Sequence, residues 1–181
     1  MSKPWPLLNS RTMADMGLFS VSRDRALSPR TKQERDFWVV HMPDWLQVVA
    51  FTGQGRVVLV RQYRHASRQS GLEVPGGLLD PSDPDPATGA LRELREETGY
   101  AGGRLVELGS FWPQPALLAN QVHFFAAVGV ELRGRQEQDP GEDLEVVLVA
   151  PEELDRLWAD GGMHNAMSVM ALGLARQAGM F

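Results

Sequence analysis

Residues 71–100 read GLEVPGGLLDPSDPDPATGALRELREETGY. The stretch predicts a strand, a glycine turn, a proline-studded loop and one acidic helix. Asp85 is an N-cap residue type, Pro86 sits in the first turn where its missing N–H costs nothing, and Gly99 supplies the left-handed residue on which helices commonly end. The helix is therefore expected over residues 86–98. Ala87, Ala90, Leu91 and Leu94 recur at three-and-four spacing and predict its buried face. At about 100° per residue, Glu93, Glu96 and Glu97 share an arc of about 100° beside that apolar stripe.

This helix is charged against its own stability. Glu93 and Glu97 form an i,i+4 like-charge pair, and Glu96 and Glu97 occupy the last turn, where the helix dipole disfavours anions. Each effect costs from a few tenths to about 1 kcal/mol, and both have the same sign. A solvated glutamate face with Arg92 and Arg95 as neutralising neighbours is one account of such a helix. A hard divalent cation is the other, because Mg²⁺ takes oxygen ligands and bridges one or two carboxylates to substrate phosphates.

Residues 92–100, RELREETGY, resemble the core of the Nudix box, Gly-x5-Glu-x7-Arg-Glu-U-x-Glu-Glu-x-Gly-U, in which U is apolar. Arg92, Glu93, Glu96, Glu97 and Gly99 stand at the family's offsets, after a Pro75-Gly76-Gly77 turn of the kind the family carries. Two positions depart. The sixth residue after Gly77 is Asp83 rather than glutamate, and eight residues rather than seven separate it from Arg92, so the resemblance assigns this upstream acid no role. Tyr100 stands where an aliphatic is commoner. The resemblance implies a metal site of Glu93, Glu96 and Glu97 with the Gly76 carbonyl, taking Mg²⁺ or Mn²⁺. It further implies that Arg92 orients the glutamates and that Glu73 helps orient the site.

The rest of the chain is consistent with one such domain. Its 181 residues suit one domain with an arm, and 43% hydrophobic content suffices for a sizeable core. A net charge of −5 offers no basic patch to nucleic acid, the absence of cysteine rules out disulfides and thiolate metal sites, and no apolar run approaches membrane length. A cytoplasmic protein without nucleic-acid or membrane partners is expected. Residues 1–44 read as an N-terminal arm, with short apolar pieces at 5–8 and 18–21, the second a candidate strand, and a charged turn over 30–36. The arm is expected to pack on the main domain or on a second subunit. The ADP-ribose pyrophosphatase group of the family carries such an extension and uses it in a homodimer.

Residues 45–181 are expected to be the hydrolase domain. Strands are predicted at 36–41, 45–52, 57–62, 72–75, 104–112, 122–131 and 145–149, and helices at 151–160 and 165–177, the last presenting Ala166, Val169, Met170, Leu172 and Leu174. The order of elements gives a mixed sheet between helical layers, which matches the α/β/α sandwich of the Nudix fold. Arg61 and Arg64 follow the third strand. Arginine pairs bidentately with phosphate oxygens, and a pyrophosphate carries charge that a metal alone leaves uncompensated. The resemblance singles out Arg64 as the phosphate clamp. Trp112, before the PQPALLANQ connector, has an aromatic face that could stack on a nucleobase or serve as core. Residues 134–143, GRQEQDPGED, form a polar loop, and the Gly-Glu-Asp-Leu stretch at 141–144 is similar to one in the ADP-ribose pyrophosphatase group, which implies Glu142 as the base with Asp143 after it. Glu96, Glu97, Arg92 and Glu142 are thus the expected catalytic residues, and Arg64, Arg61, Glu73 and Trp112 the expected substrate contacts. The expected reaction is metal-dependent hydrolysis of a nucleoside diphosphate linked to another moiety, ADP-ribose first. Another nucleotide sugar, a dinucleoside polyphosphate, or a sensing module without turnover are the alternatives.

Overall fold

The computed structural model describes residues 3–181, so the first two residues of the predicted arm lie outside the described part. The chain divides into two units, one containing the N-terminal residues through Asp44 with 112–121, the other 45–111 with 122–181.

In the first unit, β1 (Leu7–Asp15), β2 (Ser20–Leu27) and β3 (Glu34–His41) form an antiparallel sheet in chain order. The sequence reading found no β1, because LLNSRTMAD does not alternate and its side chains stay mostly exposed. The predicted turn over 30–36 is also cut short. Arg25 on β2 lies 3.0 Å from Asp36 and 3.7 Å from Glu34, and this pairing draws two acids that look like turn residues into the ladder. The 112–121 segment joins the same unit, with Val40 N–H donating to the Leu117 carbonyl at 2.9 Å and Ala119 N–H to the Val40 carbonyl at 2.9 Å.

The second unit holds β4 (Trp45–Thr52), β5 (Val57–Arg64), β6 (Gln69–Glu73), β7 (Tyr100–Ala101), β8 (Arg104–Phe111), β9 (Val122–Leu132) and β10 (Leu144–Val149). Their seven-stranded sheet runs β10-β5-β4-β9-β7, with β6 against β5 and β8 against β9. The β4–β9 pair is parallel and the others antiparallel, so the sheet is mixed. β4 is buried on both faces, which is why WLQVVAFT reads as a nearly continuous apolar run. Leu46, Val48 and Ala50 pack with Ala90 and Leu94 of α1 (Pro86–Thr98). Val49 and Phe51 face the opposite core, with Leu154 of α2 (Leu154–Ala159) and Ala171, Leu172 and Ala175 of α3 (Ala166–Gln177). This is the α/β/α sandwich with a mixed sheet that the order of elements predicts.

The bounds of α1 agree with the sequence reading. Asp85 accepts from Thr88 N–H at 2.7 Å, and Gly99 ends the helix at φ 74°. Its buried face differs. Leu91 is 38% exposed, while Gly89, Ala90, Leu94, Glu97 and Thr98 are buried. The helix is rotated towards its carboxylates. Gly89 permits this, since a Cβ there would stand 2.7 Å from the Asp83 carboxylate and 2.8 Å from Leu46. On α3 the buried residues are Ser168, Ala171, Leu172 and Ala175, a face shifted from the one predicted and made of small side chains that let the helix approach the sheet.

Candidate active site

The turn at 75–77 fixes the site against β4. Leu46 N–H donates to the Gly77 carbonyl and Val48 N–H to the Pro75 carbonyl, both at 2.9 Å. The intervening Gly76 directs its N–H not to β4 but to α1. The Gly76 N–H donates to Glu97 Oε2 at 2.9 Å. A side chain cannot be added here, because a Cβ on Gly76 would stand 2.1 Å from the Leu46 carbonyl oxygen. On Gly77 it would stand 2.6 Å from the Glu93 carboxyl carbon. The two glycines therefore leave a cradle for one backbone carbonyl and one carboxylate.

Glu97 is 3% exposed, and among the described residues its hydrogen-bond partner is the Gly76 N–H. Burial pushes its carboxyl up to about 8; the Gly76 bond opposes this, the charges of Glu93 and Glu142 add to it, and Arg64 draws it back. Glu93 is pushed up to about 6, again chiefly by burial, against the pull of Arg92 and with the repulsion of Glu96 and Glu142. Glu97 has no ion pair among the described residues in a place where a lone carboxylate is costly, whereas Glu93 is partly compensated by Arg92.

Arg92 is the hub of the opposite arrangement. Its guanidinium donates to Asp83 at 3.1 and 2.9 Å, to Glu96 at 2.9 Å and to the Leu78 carbonyl at 3.2 Å, and lies 2.9 Å from Glu93. Asp83, its side chain 5% exposed, is held below the usual carboxylate range by the Arg92 hydrogen bonds, with the Asp80 N–H assisting. The upstream acid that the sequence reading left without a role is thus tied to Arg92. The extra loop residue and the gap left by Gly89 bring the shorter aspartate into reach. Glu96 is shared between Arg92 and Arg95, each at 2.9 Å.

Arg64 donates from Nε to Glu73 Oε1 at 3.0 Å and from Nη2 to Glu73 Oε2 at 2.7 Å. Glu73 is 2% exposed and also accepts from Asn165 Nδ2 at 2.6 Å. It can touch a substrate only through Arg64, whose own side chain remains 44% exposed. Glu142 shares electrostatic reach with Glu93, Glu97 and Arg64. Its loop is stitched down by Gln136, which donates to the Glu97 carbonyl at 2.7 Å and the Leu144 carbonyl at 3.0 Å. Asp143 follows as an exposed residue of that loop.

Of the expected substrate contacts, Arg61 faces away from Arg64 on its own strand. Arg61 is an odd number of residues from Arg64, so strand alternation turns it to the other face of β5, where it pairs with Glu145 at 3.1 Å. Trp112 belongs to the first unit, where it lines a cavity of about 370 Å³ with Val39, Pro115 and Leu117. Asn165 was not singled out as a site residue by the sequence. The sequence pattern starts the helix at Asn165, whereas the residue is its N-cap, and no local signal hints at its bond to Glu73.

The donor set was tested for a metal. Among the described residues no three His, Asp or Glu side chains are gathered closely enough to clasp an ion unaided. Mg²⁺ does not require that, since it keeps waters and takes one or two carboxylates with substrate oxygens. All-oxygen donors, the buried and unpaired Glu97 with Glu93 beside it, and a cradle that a Cβ would fill suit such an ion.

A model of the NUDIX domain matches residues 44–168. An ADP-ribose pyrophosphatase of Bacillus subtilis is 31% identical over 135 residues, covering 74% of this chain and 72% of that protein. A GDP-mannose pyrophosphatase of Pectobacterium atrosepticum is 33% identical over 138 residues, covering 71% and 69%. The crystal structure of an ADP compounds hydrolase superposes with a TM-score of 0.85 at 23% identity, over 98% of this chain and 95% of that one, and shares its fold. With the box on α1, the cradle of Gly76 and Gly77 and the sandwich all in place, the chain belongs to the Nudix family, whose hydrolases use divalent metal ions.

Proposed function

We propose that this chain hydrolyses the pyrophosphate bond of a nucleoside diphosphate derivative with Mg²⁺, or Mn²⁺ in its place, and that ADP-ribose, giving AMP and ribose 5-phosphate, is the leading substrate. The observation that carries the reading is Glu97, buried beside Glu93 and the Gly76 turn without a cationic partner among the described residues. Glu93, Glu96, Glu97 and the Gly76 carbonyl would hold the ion. Bound there, it supplies positive charge to the phosphoryl oxygens as negative charge builds in the transition state.

The chain's own groups do the rest. Arg64, held flat by Glu73, presents its exposed guanidinium edge to phosphate oxygens and fixes the diphosphate against the carboxylates. Arg92 locks Glu96 and restrains Glu93, so the acids are pre-positioned. Water adds its oxygen to one phosphorus, the bond from that phosphorus to the bridging oxygen breaks, and the bridging oxygen leaves with the other phosphate. Glu142 accepts the water's proton. Trp112 and Arg61 are assigned lesser parts, base stacking and long-range attraction of the anion.

Similarity to an ADP-ribose pyrophosphatase supports the first substrate, and the 33% identity to a GDP-mannose pyrophosphatase supports a second reading, another nucleotide sugar. The active form is proposed to be a homodimer in the cytoplasm. A three-stranded sheet cannot cover both its faces, and Leu8, Met13, Phe37 and Trp38 of the first unit are exposed. Among the described residues no helix is long and apolar enough to cross a membrane. The test is mass spectrometry of products after incubation with Mg²⁺ and ADP-ribose, GDP-mannose, NADH, a dinucleoside tetraphosphate or CoA, with Glu97→Gln as control. AMP from ADP-ribose, absent in the control, is the expected result. Turnover confined to GDP-mannose would transfer the reading to nucleotide sugars, and no turnover of any compound would overturn it.

A further inference from the structure

The segment that leads into α3, with the first turn of α3, meets the end of β6 and the residue after it, from Gly71 to Val74. Gly71 lies under the His164 ring, which would stand 2.4 Å from a Cβ there. Leu72 N–H donates to the Gly162 carbonyl at 2.9 Å, and Val74 N–H to Ser168 Oγ at 3.1 Å. Between these two bonds, one to a backbone carbonyl and one to a serine hydroxyl, Glu73 accepts from Asn165 Nδ2 at 2.6 Å. Covering an edge strand would need only the backbone bonds. The Asn165 contact does something further, because the same Glu73 oxygen, Oε2, accepts from Arg64 Nη2 at 2.7 Å.

Asn165 uses both ends of its amide. Oδ1 caps α3, accepting from Met167 N–H at 2.9 Å and Ser168 N–H at 3.4 Å, which leaves Nδ2 directed at Glu73. The cap thus fixes which way the amide points, and the amide in turn fixes the carboxylate. A carboxylate held by Arg64 alone could swing with it. Held from behind by a helix cap, it offers the guanidinium one orientation.

We propose that Asn165 is a positioning residue for the phosphate clamp: through Glu73 it sets the plane of the Arg64 guanidinium, so the N-terminus of α3 determines how tightly a diphosphate is held. This rests on the reading of Arg64 as the clamp. Asn165 touches no substrate in this account and acts on affinity rather than on the chemical step.

The substitution that separates this from a structural role is Asn165→Ser, which keeps a capping oxygen and removes the donor to Glu73. Asn165→Ala removes both and reports the cost of the lost cap in its thermal midpoint. The readout is the dissociation constant of ADP with MgCl₂, by calorimetry, beside KM and kcat for ADP-ribose. Asn165→Ser is expected to weaken ADP binding and raise KM about 3- to 10-fold, with kcat within about twofold and the melting midpoint near that of the wild type. Arg64→Ala is expected to weaken binding by at least about tenfold, and adding Asn165→Ser to it should weaken binding no further. If Arg64→Ala leaves affinity unchanged, the clamp reading falls and this inference with it. Should Arg64→Ala weaken binding while Asn165→Ser does not, only the inference falls. It also falls if Asn165→Ser costs the same affinity in both backgrounds, or if its effect is confined to kcat.

Discussion

Two glutamates in this molecule are buried to the same depth and satisfied in opposite ways. Glu73, 2% exposed, accepts two bonds from Arg64 and one from Asn165. Glu97, 3% exposed, has the Gly76 N–H and the repulsion of Glu93 and Glu142. A folded chain does not bury an unpaired carboxylate for stability, since desolvation disfavours the charge and no ion pair offsets it. Glu73 is therefore complete as part of the protein, and Glu97 is the acid that the proposed metal ion would complete. A similar contrast surrounds α1, where Arg92 pairs with Asp83, Glu96 and Glu93, while Glu97 has no ion pair among the described residues. Depth of burial does not separate structural acids from functional ones; completeness of pairing does.

The contrast is broken most severely at Glu97. Glu97→Gln should lower kcat by two or more orders of magnitude, about 10²-fold or beyond, while the far-UV circular dichroism stays that of the wild type. Near-normal turnover would remove Glu97 from the mechanism. Gly77→Ala attacks the same acid cluster from the turn: a methyl 2.6 Å from the Glu93 carboxyl must displace it, and a fall in kcat of about tenfold or more is expected in steady-state assays.

At Glu73 the expected loss is stability and affinity rather than turnover. Glu73→Ala strands the Asn165 amide and Arg64, costing about 2 kcal/mol in urea unfolding, less than for a fully buried pair because Arg64 is half in solvent. A variant as stable as the wild type would show that the Glu73 network contributes nothing net.

The smallest effect is in pH. The folded-state pKa of Glu97 is about 8, above its ordinary 4.5, so its neutral form favours folding. That contribution is fully present below about pH 4.5 and is lost as pH rises through 8. In EDTA, the wild type should lose melting temperature over this window and Glu97→Gln should lose less. Asp83 has the opposite sign. Its pKa is depressed by Arg92, so its contribution is present above about 3.8 and lost as pH falls below that, and Asp83→Ala should narrow its gap from the wild type only in acid.

Much of this was legible in the sequence. The Asp85, Pro86 and Gly99 signals act within the helix they bound, so α1 could be placed to the residue. The parallel core strand β4 declared itself through an apolar run that only burial on both faces explains. What was missed depends on partners distant in the chain. β1 is a strand because β2 lies beside it, and β3 starts at Glu34, two residues before the predicted strand, because Arg25 holds Glu34 and Asp36. Asp83 looked displaced by one position, and only the loop geometry shows that it still reaches Arg92. Leu91 looked buried because the helical period fixes which residues share a face but not which way that face turns. Asn165 looked like the first residue of the last helix, and its bond to Glu73 spans 92 positions that no local pattern encodes.

The most direct test of the central claim is the melting temperature above pH 8, with saturating MgCl₂ against EDTA, of the wild type, Glu73→Gln and Glu97→Gln. If the deficit at Glu97 is met by a divalent cation, the wild type and Glu73→Gln gain several degrees on adding metal, roughly 2–4 °C per kcal/mol of linked binding, and Glu97→Gln gains almost nothing. An equal gain in Glu97→Gln would contradict the account, because the cation would then be held by groups other than the buried, unpaired carboxylate.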